Sequence, residues 1–367
     1  MKKTRNESKK RPLWRRILRS VGAVLLALIL LLSCGVAFLT IAEYRPADRE
    51  TVTVEGTAAA AAPAPGDTLT VLTWNIGYGA LGQEADFFMD GGKSVRGTSK
   101  AVVEDNMQGI LAKIQSYAPD IVFLQEADLK SSRSYRVDEL ALLRGGLTGY
   151  ASSFAYNYKV SYVPYPLPTL GKVEAGLVTF SSFPTSGADR VQLPVPFSWP
   201  VRTVNLKRCL LVSRIPLAGS DKELVLVNLH LEAYDDGEGK LAQTKMLAEL
   251  LTAEAAKGNY VVAGGDFNQI FSSADVNAYP AKEGMWQPGE IGVTQFEGVW
   301  QFLMDAAVPS CRSLDQPYVG ADKTNFQYYL IDGFIVSGNI TVTSCQTQDL
   351  GFVNSDHNPV LLQLTLQ

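Results

Sequence analysis

Apolar and polar residues follow one another along this chain in a pattern that predicts many strands and few helices. Residues 69–76 and 120–125 are β-branched or apolar runs, and each leads into polar residues, as buried strands do. Between them, residues 100–117 place apolar side chains at helical spacing, and Pro119 ends this helix. The order strand, helix, strand predicts that both strands end at the same edge of one sheet.

Similar apolar runs continue to the end of the chain. They predict strands at residues 173–180, 208–215, 223–231, 260–263, 330–336 and 360–366. The first three have short connections, which favours antiparallel neighbours. Residues 240–257 repeat the helical pattern and stop before Gly258. Many strands with few crossover helices predict an α/β fold of two packed sheets with helices on their outer faces.

The longest apolar stretch, residues 20–42, contains no charge and is long enough to cross a bilayer as a helix. Nine bases precede it: Lys2, Lys3, Arg5, Lys9, Lys10, Arg11, Arg15, Arg16 and Arg19. Because Lys and Arg favour the cytoplasmic side, we expect a basic cytoplasmic segment at residues 1–19 and an extracytoplasmic body. A cleaved signal peptide and a lipoprotein modified at Cys34 are the alternatives; the stretch is too long to favour either.

Residues 43–67 are rich in Ala and Pro and have no periodic apolar face, so they predict a tether. No repeat or second linker follows, which predicts a single domain over residues 68–367. The chain is 46% hydrophobic and 19% charged, an ordinary globular composition.

Charge is distributed unevenly between the two ends of the chain. Residues 44–367 hold 24 Lys and Arg against 35 Asp and Glu, a formal net charge of about −11. Such a body disfavours tight non-specific binding to a polyanion. It does not exclude a nuclease, because bound cations and local basic patches offset the average field.

Four cysteines are too few for a disulfide framework, and none forms a CxxC metal motif. Cys34 lies in the apolar stretch, and Cys209 lies in a predicted strand, where a buried thiol is expected. Cys311 and Cys345 could pair in an oxidising compartment, so this pairing stays open.

Polar residues of a few kinds recur where the predicted strands end. They are Asn75 in TWNIG, Glu126 in FLQEA, His230 in VNLHLE, Asp266 and Asn268 in GGDFN, and Asp332 in LIDGF. Asp356 and His357, in SDHNP, come just before the last strand. Carboxylates are ligands for Mg²⁺, imidazoles transfer protons near neutral pH, and amides orient phosphoryl oxygens. Together these residues indicate phosphoryl hydrolysis.

The chain contains only two histidines, and each lies next to the apolar run of a strand. Either alone could be a structural histidine, but the adjacent Asp356 favours a functional role for His357. Glu126 directly follows an apolar strand and would need a counter-charge, which a metal ion supplies. Asp332 and Asn75 could instead belong to a turn and a loop cap.

Taken in order, these segments resemble the endonuclease/exonuclease/phosphatase superfamily, which includes DNase I, abasic-site endonucleases, bacterial sphingomyelinases and inositol-polyphosphate 5-phosphatases. The resemblance spans residues 68–367, and KVEAGLVTFSSFP and RCLLVSRIPL also resemble its central strands. Six motifs in the expected order make the signal specific, although each alone is weak. The resemblance implies a DNase I-like four-layer sandwich: two packed mixed β-sheets flanked by helices.

The same resemblance implies Mg²⁺ as the cofactor, with Mn²⁺ as the alternative ion. Glu126 would be the principal metal ligand, with Asn75 nearby and Asp356 as a second candidate. The chain departs from the family in having NLH where NTH is commoner. The tyrosine that some branches use near phosphate could be Tyr156, Tyr158 or Tyr162.

Catalytic roles are also implied by the resemblance. Asp266 would position or deprotonate the attacking water, and Asn268 would hold the phosphoryl group. His357 would act in acid–base chemistry or bind phosphate, oriented by Asp332. His230 matches the second histidine of the DNase I, sphingomyelinase and inositol-phosphatase branches.

The expected activity is therefore Mg²⁺-dependent hydrolysis of phosphodiesters or phosphomonoesters by a monomeric catalytic domain that an N-terminal helix holds at a membrane. Nucleic acid and a lipid headgroup are the two candidate substrates. Tethering at a bilayer and the acidic body suggest the lipid headgroup. A catalytically inactive binding module is a third hypothesis, which the full set of polar residues disfavours.

Overall fold

The computed structural model describes residues 13–235 and 237–367. The chain forms two compact units, Met1–Glu43 and Tyr44–Gln367. In the first unit, helix α1 (Leu13–Ile41) has no buried side chain and is long and apolar enough to cross a membrane. It contains most of the predicted span, residues 20–42. The predicted basic segment falls outside the described residues over positions 1–12.

Two seven-stranded sheets form the second unit. The first contains, in spatial order, β1 (Arg49–Val52), β7 (Gly187–Gln192), β8 (Cys209–Pro216), β9 (Glu223–His230), β10 (Tyr260–Asp266), β16 (Asp332–Ser337) and β13 (Trp300–Leu303). The second contains β17 (Ile340–Thr347), β18 (Val360–Leu366), β3 (Thr68–Asn75), β4 (Ile121–Asp128), β6 (Gly171–Ser181), β5 (Ala151–Val163) and β2 (Val54–Glu55). Both sheets mix parallel and antiparallel pairs.

The remaining elements are shorter sheets and helices. Two small sheets pair β11 (Gln269–Phe271) with β12 (Gly289–Ile291), and β14 (Cys311–Arg312) with β15 (Tyr328–Tyr329). The helices of the second unit are α2 (Lys100–Tyr117), α3 (Glu139–Gly146) and α4 (Glu238–Ala255). Helix α2 begins after Ser99, whose side chain accepts a hydrogen bond from the backbone N–H of Val102. The sequence prediction for α2 is confirmed.

Apolar residues of the two sheets pack face to face. The shared core includes Phe123 from the second sheet and Leu226, Val262 and Phe334 from the first. Helix α2 covers the other face of the second sheet, and α4 covers the other face of the first. This gives the predicted four layers of helix, sheet, sheet and helix.

The structure corrects the predicted placement of residues 173–180. The corresponding strand, β6, lies between β4 and β5 in the second sheet, and only β8 and β9 are antiparallel neighbours as expected. A short connection was a poor guide here, because β7, which belongs to the other sheet, lies between β6 and β8 in the chain.

The structure also corrects the predicted tether over residues 43–67. Within it, β1 pairs with β7 at the edge of the first sheet, and β2 pairs with β5 at the edge of the second. Backbone hydrogen bonds continue the attachment, from Ala60 N to Ser182 O (2.9 Å) and from Ala218 N to Pro63 O (2.8 Å). Such bonds do not require apolar side chains, so Ala/Pro composition gives no sign of them.

Asn228 connects the two sheets through the core. Its Oδ1 accepts a hydrogen bond from Gln125 Nε2 (2.8 Å), and its Nδ2 donates to Leu124 O (3.2 Å) and Val178 O (2.8 Å). We expect Asn228→Leu to lower the free energy of unfolding by about 2–4 kcal/mol, because Gln125 loses a buried partner. Urea unfolding of the full chain in detergent, followed by circular dichroism, measures the change.

The exposed Asn277 provides the control. Asn277→Leu should change the free energy of unfolding by less than about 0.5 kcal/mol. Equal unfolding midpoints for the Asn228→Leu protein and the wild type would contradict the assignment.

Candidate active site

Three of the predicted residues are in register across the first sheet. His230 pairs with Asp266 in the parallel strands β9 and β10, and Asp266 pairs with Asp332 in the antiparallel strands β10 and β16. All three side chains are buried. His230 Nε2 lies 3.5 Å from Asp266 Oδ2. Strand pairing alone therefore places an imidazole beside two carboxylates.

Asn75, at the end of β3, connects the two sheets at this edge. Its Nδ2 donates to Asp266 Oδ2 (2.9 Å) and lies 3.3 Å from Glu126 Oε1. Its Oδ1 accepts a hydrogen bond from Gly77 N (3.0 Å), so one lone pair of this oxygen is already engaged. Asn75 therefore orients two carboxylates that belong to different sheets.

Glu126 occupies an irregularity in β4. The pairing of β4 with β6 shifts register between Leu124 and Ala127, and Glu126 itself has a φ of +59°. A bulge redirects a side chain that regular pairing would send elsewhere. Tyr78 and Asn268 also have positive φ (42° and 50°) and line the same cavity. Strained backbone of this kind concentrates at functional sites.

His357 reaches the site from the loop before β18. Its Nδ1 lies 2.8 Å from Asp332 Oδ2, and its Nε2 lies 3.8 Å from Asp266 Oδ2 and 3.9 Å from Asp356 Oδ2. The Asp332 carboxylate therefore fixes the orientation of the ring and leaves Nε2 directed towards Asp266.

Neighbouring hydrogen bonds hold this loop in place. The backbone carbonyl of His357 accepts from Trp74 Nε1 (2.9 Å), and Ser355 Oγ donates to the backbone carbonyl of Asn75 (2.8 Å). Because Trp74 and Asn75 end β3, these bonds attach the loop to the strand end.

Burial and charge separate the pKa values of these groups. Burial, together with the Asp332 carboxylate, raises the pKa of Asp266 to about 7. Burial alone would lower the pKa of His357, but the neighbouring Asp332, Cys311 and Asp356 together outweigh it and raise the pKa well above its usual value. Burial lowers the pKa of His230 well below its usual value. The surroundings therefore favour the protonated form of the His357 imidazole and the neutral form of the His230 imidazole, an asymmetry that suits acid–base chemistry.

Asn268 supports Asp266 from the following turn. Its backbone N–H donates to Asp266 Oδ1 (2.9 Å), and its Nδ2 donates to Leu231 O (2.9 Å). One amide hydrogen of Asn268 remains for a ligand.

These residues surround a cavity of about 310 Å³. Six of the eight predicted residues line it: Glu126, His230, Asp266, Asn268, Asp356 and His357. Asn75 and Asp332 do not line it. They bind and orient Asp266 and His357, which do. The fold thus brings together all eight residues that the sequence suggested, and two of them lie behind the cavity surface.

Two groups of three side chains have donor atoms close enough to hold one metal ion. They are Asp266, Asp332 and His357, and Cys311, Asp356 and His357, and within each group the donor atoms lie within 4.8 Å of one another. Glu126 belongs to neither group among the described residues. Burial and the nearby Glu126 carboxylate nevertheless raise the pKa of Asp356 to about 6. A divalent cation fits this excess of negative charge.

Sequence reasoning missed several residues of this cavity. Arg133 Nη1 lies 3.7 Å from Glu126 Oε2, while its other nitrogens bind Asp128 (3.2 and 3.0 Å). Cys311 forms an isolated β-bridge with His357 and also lines the cavity. The thiols of Cys311 and Cys345 are both free. Arg133 comes from a loop and Cys311 from the two-residue strand β14, where residue spacing carries no signal. Of the three candidate tyrosines, Tyr158 lines the cavity, and Tyr156 and Tyr162 do not.

A sequence model of the endonuclease/exonuclease/phosphatase family matches residues 72–357, from β3 to His357, and so includes every candidate residue. The chain belongs to this family. Its members are phosphoesterases and nucleases, so the family supports a phosphoester hydrolase. No curated protein matches the sequence.

Solved structures of the family confirm the fold. An endonuclease/exonuclease/phosphatase from Beutenbergia cavernae DSM 12333 is 20% identical, with 82% of this chain and 72% of that chain covered and a TM-score of 0.58. A family structure from Bacteroides vulgatus is 16% identical, with coverage of 82% and 100% and a TM-score of 0.53. ANGEL2, a 2′,3′-cyclic phosphatase, is 14% identical, with coverage of 86% and 98% and a TM-score of 0.51.

Proposed function

We propose that this protein is a divalent-metal-dependent phosphoesterase that α1 anchors in a membrane, with the catalytic unit on the extracytoplasmic side. One observation carries the proposal: both histidines of the chain lie within 4 Å of the same Asp266 oxygen, at 3.5 and 3.8 Å, in a cavity that Glu126 also lines. Such a group of acid, base and metal-ligand side chains performs hydrolysis of phosphate esters.

Asp266 is the group that orients the attacking water or takes its proton. Its carboxylate is buried, accepts hydrogen bonds from Asn75 and Asn268, and has a pKa of about 7. His357, held by Asp332 and protonated, donates to the phosphate or to the leaving oxygen. The alkoxide that leaves takes up this proton and departs as the alcohol.

Glu126 and Asp356 would hold the metal ion, with Asn75 beside them. Mg²⁺, or Mn²⁺ in its place, prefers such oxygen ligands. When bound, the ion supplies positive charge that stabilises the negative charge developing on the phosphate oxygens. Asn268 would donate its remaining amide hydrogen to a phosphoryl oxygen.

A lipid headgroup is the favoured substrate class over nucleic acid. The body carries a formal charge of about −11 and repels a long polyanion, whereas a headgroup at the membrane presents a single phosphate. A catalytically inactive binding module is the remaining alternative.

A panel of phosphate esters tests the proposal. The full chain in detergent, with Mg²⁺, is incubated separately with plasmid DNA, RNA, sphingomyelin vesicles, phosphoinositide vesicles and bis(p-nitrophenyl) phosphate. We expect turnover of at least one ester and release of a phosphorylated headgroup from the vesicles. Nicked plasmid without headgroup release would make the protein a nuclease. Mg²⁺ binding by calorimetry without any turnover would make it a binding module.

A further inference from the structure

Part of the cavity surface combines one carboxylate with three aromatic rings. Asp90 lies 3.4 Å from the hydroxyl of Tyr234, the Tyr234 and Trp286 ring centroids are 6.4 Å apart, and the Trp286 and Tyr329 centroids are 5.3 Å apart. All four residues line the same cavity as the catalytic side chains. We call this group, Asp90, Tyr234, Trp286 and Tyr329, the aromatic wall.

Asp90 lacks a positive partner within residues 13–235 and 237–367. Its side chain has one hydrogen bond there, the one from Tyr234. Burial raises the pKa of Asp90 to about 6, and the carboxylates of Asp356 and Glu126 add to this effect. At pH 7 most molecules still carry the charge, so this side of the cavity attracts a cation.

The polar atoms of the aromatic rings in this wall already have partners, which leaves the rings themselves to contact a ligand. Trp286 Nε1 already donates to Ala233 O (3.0 Å), and the Tyr329 hydroxyl donates to Trp286 O (3.1 Å). Tyr and Trp rings attract cations, and quaternary ammonium groups bind in sites built from several such rings. A carboxylate beside the rings adds attraction for the same positive charge.

The aromatic wall also lies close to the reacting groups. Tyr329 pairs with Cys311 between β15 and β14, and Cys311 in turn bridges to His357. A phosphate held by His357 and Asn268 would therefore have its substituent beside the rings. The cavity, about 310 Å³, is at the lower end of the sizes of small-molecule sites and suits a compact headgroup.

We propose that the aromatic wall binds an alkylammonium group of the substrate, so that the hydrolysed ester is of the phosphocholine type. This inference rests on the proposed phosphoesterase function. The shared chemistry is a phosphate joined by a short chain to a quaternary ammonium, whether the ester is a membrane lipid or a soluble metabolite.

A charged ester and its neutral isostere test the inference. p-Nitrophenyl phosphocholine and p-nitrophenyl 3,3-dimethylbutyl phosphate have the same shape, and only the first carries a positive charge. We expect kcat/KM of the full chain to favour the first by at least about tenfold. Asp90→Asn and Trp286→Leu should each reduce the ratio towards one, whereas Trp286→Phe, which keeps a ring, should retain part of it.

Asp221→Asn is the matched control, since Asp221 is exposed and does not line the cavity. It should leave the ratio unchanged. Equal kcat/KM values for the two esters in the wild type would overturn the inference.

Choline binding separates the inference from the proposed function, because it needs no turnover. Calorimetry with choline chloride, in a detergent that carries no ammonium group, should give saturable binding that Asp90→Asn weakens at least about tenfold. Binding without hydrolysis of any ester would remove the proposed function and support the aromatic wall. Binding that is absent, or unchanged by Asp90→Asn, would overturn the inference.

The source of the ester is found with two substrates that share the headgroup. Vesicles of sphingomyelin or phosphatidylcholine present it on a membrane, and glycerophosphocholine presents it in solution. Hydrolysis of either supports the inference and identifies the source. Hydrolysis of phosphoinositide vesicles in preference to both would overturn it.

Discussion

Replacement of Asp266 by Asn is expected to lower kcat by about 10³-fold or more while the fold remains intact. The amide has nearly the same shape as the carboxylate but cannot take a proton. It also brings an NH₂ group towards Asn75 Nδ2, which now donates to Asp266 Oδ2 at 2.9 Å. Steady-state hydrolysis of bis(p-nitrophenyl) phosphate by the full chain in saturating Mg²⁺ measures the loss.

The same Asp-to-Asn change at Asp221 provides the control, because this residue lies at the protein surface. Its kcat should remain within about twofold of the wild type. Circular dichroism and the unfolding midpoint show whether the Asp266→Asn protein is folded. A folded variant with more than about a tenth of the wild-type kcat would remove Asp266 from the proposed chemistry.

Removal of divalent cations with EDTA is expected to abolish hydrolysis, and added Mg²⁺ or Mn²⁺ to restore it. Five carboxylates line the cavity, against three arginines. Without the ion, this charge repels a phosphate dianion or monoanion. Activity measured against Mg²⁺ concentration, after dialysis against EDTA, gives the apparent affinity.

Glu126→Gln tests which residue holds the ion. We expect the Mg²⁺ concentration for half-maximal activity to rise by about tenfold or more, because a charged oxygen ligand is lost. Glu290→Gln, an exposed change outside the cavity, should leave that concentration unchanged. Full activity in excess EDTA would contradict a metal-dependent mechanism altogether.

The regular elements next to the site could be predicted because their patterns are local. Residues 100–117 form α2 as expected, and the apolar runs before Asn75, Glu126 and Asp266 form β3, β4 and β10. Strands with weaker patterns were missed. β17 reads ITVTSCQT and β7 reads GADRVQ, and both lie where the sheets are partly exposed, so polar residues interrupt the apolar alternation.

The cavity wall could not be predicted. Asp90, Tyr234, Trp286 and Tyr329 are far apart in the chain and belong to a three-residue 3-10 helix, to loops or to a two-residue strand. Arg133 likewise reaches Glu126 from a loop. No periodicity relates such positions, and contacts among them depend on how the loops between strands fold back over the sheet edge.

By itself, the sequence determined which side chains are available and where the strands carrying them end. The motifs from TWNIG to SDHNP were enough to predict the family, the layers and the eight residues, because strand ends and residue types are local properties. Tertiary structure alone decided how these residues are used. The register of β9, β10 and β16 aligns His230, Asp266 and Asp332, and a bulge turns Glu126 towards them. Register, bulges and loop packing arise from contacts between distant segments, and the free energy of those contacts is not encoded in any one segment.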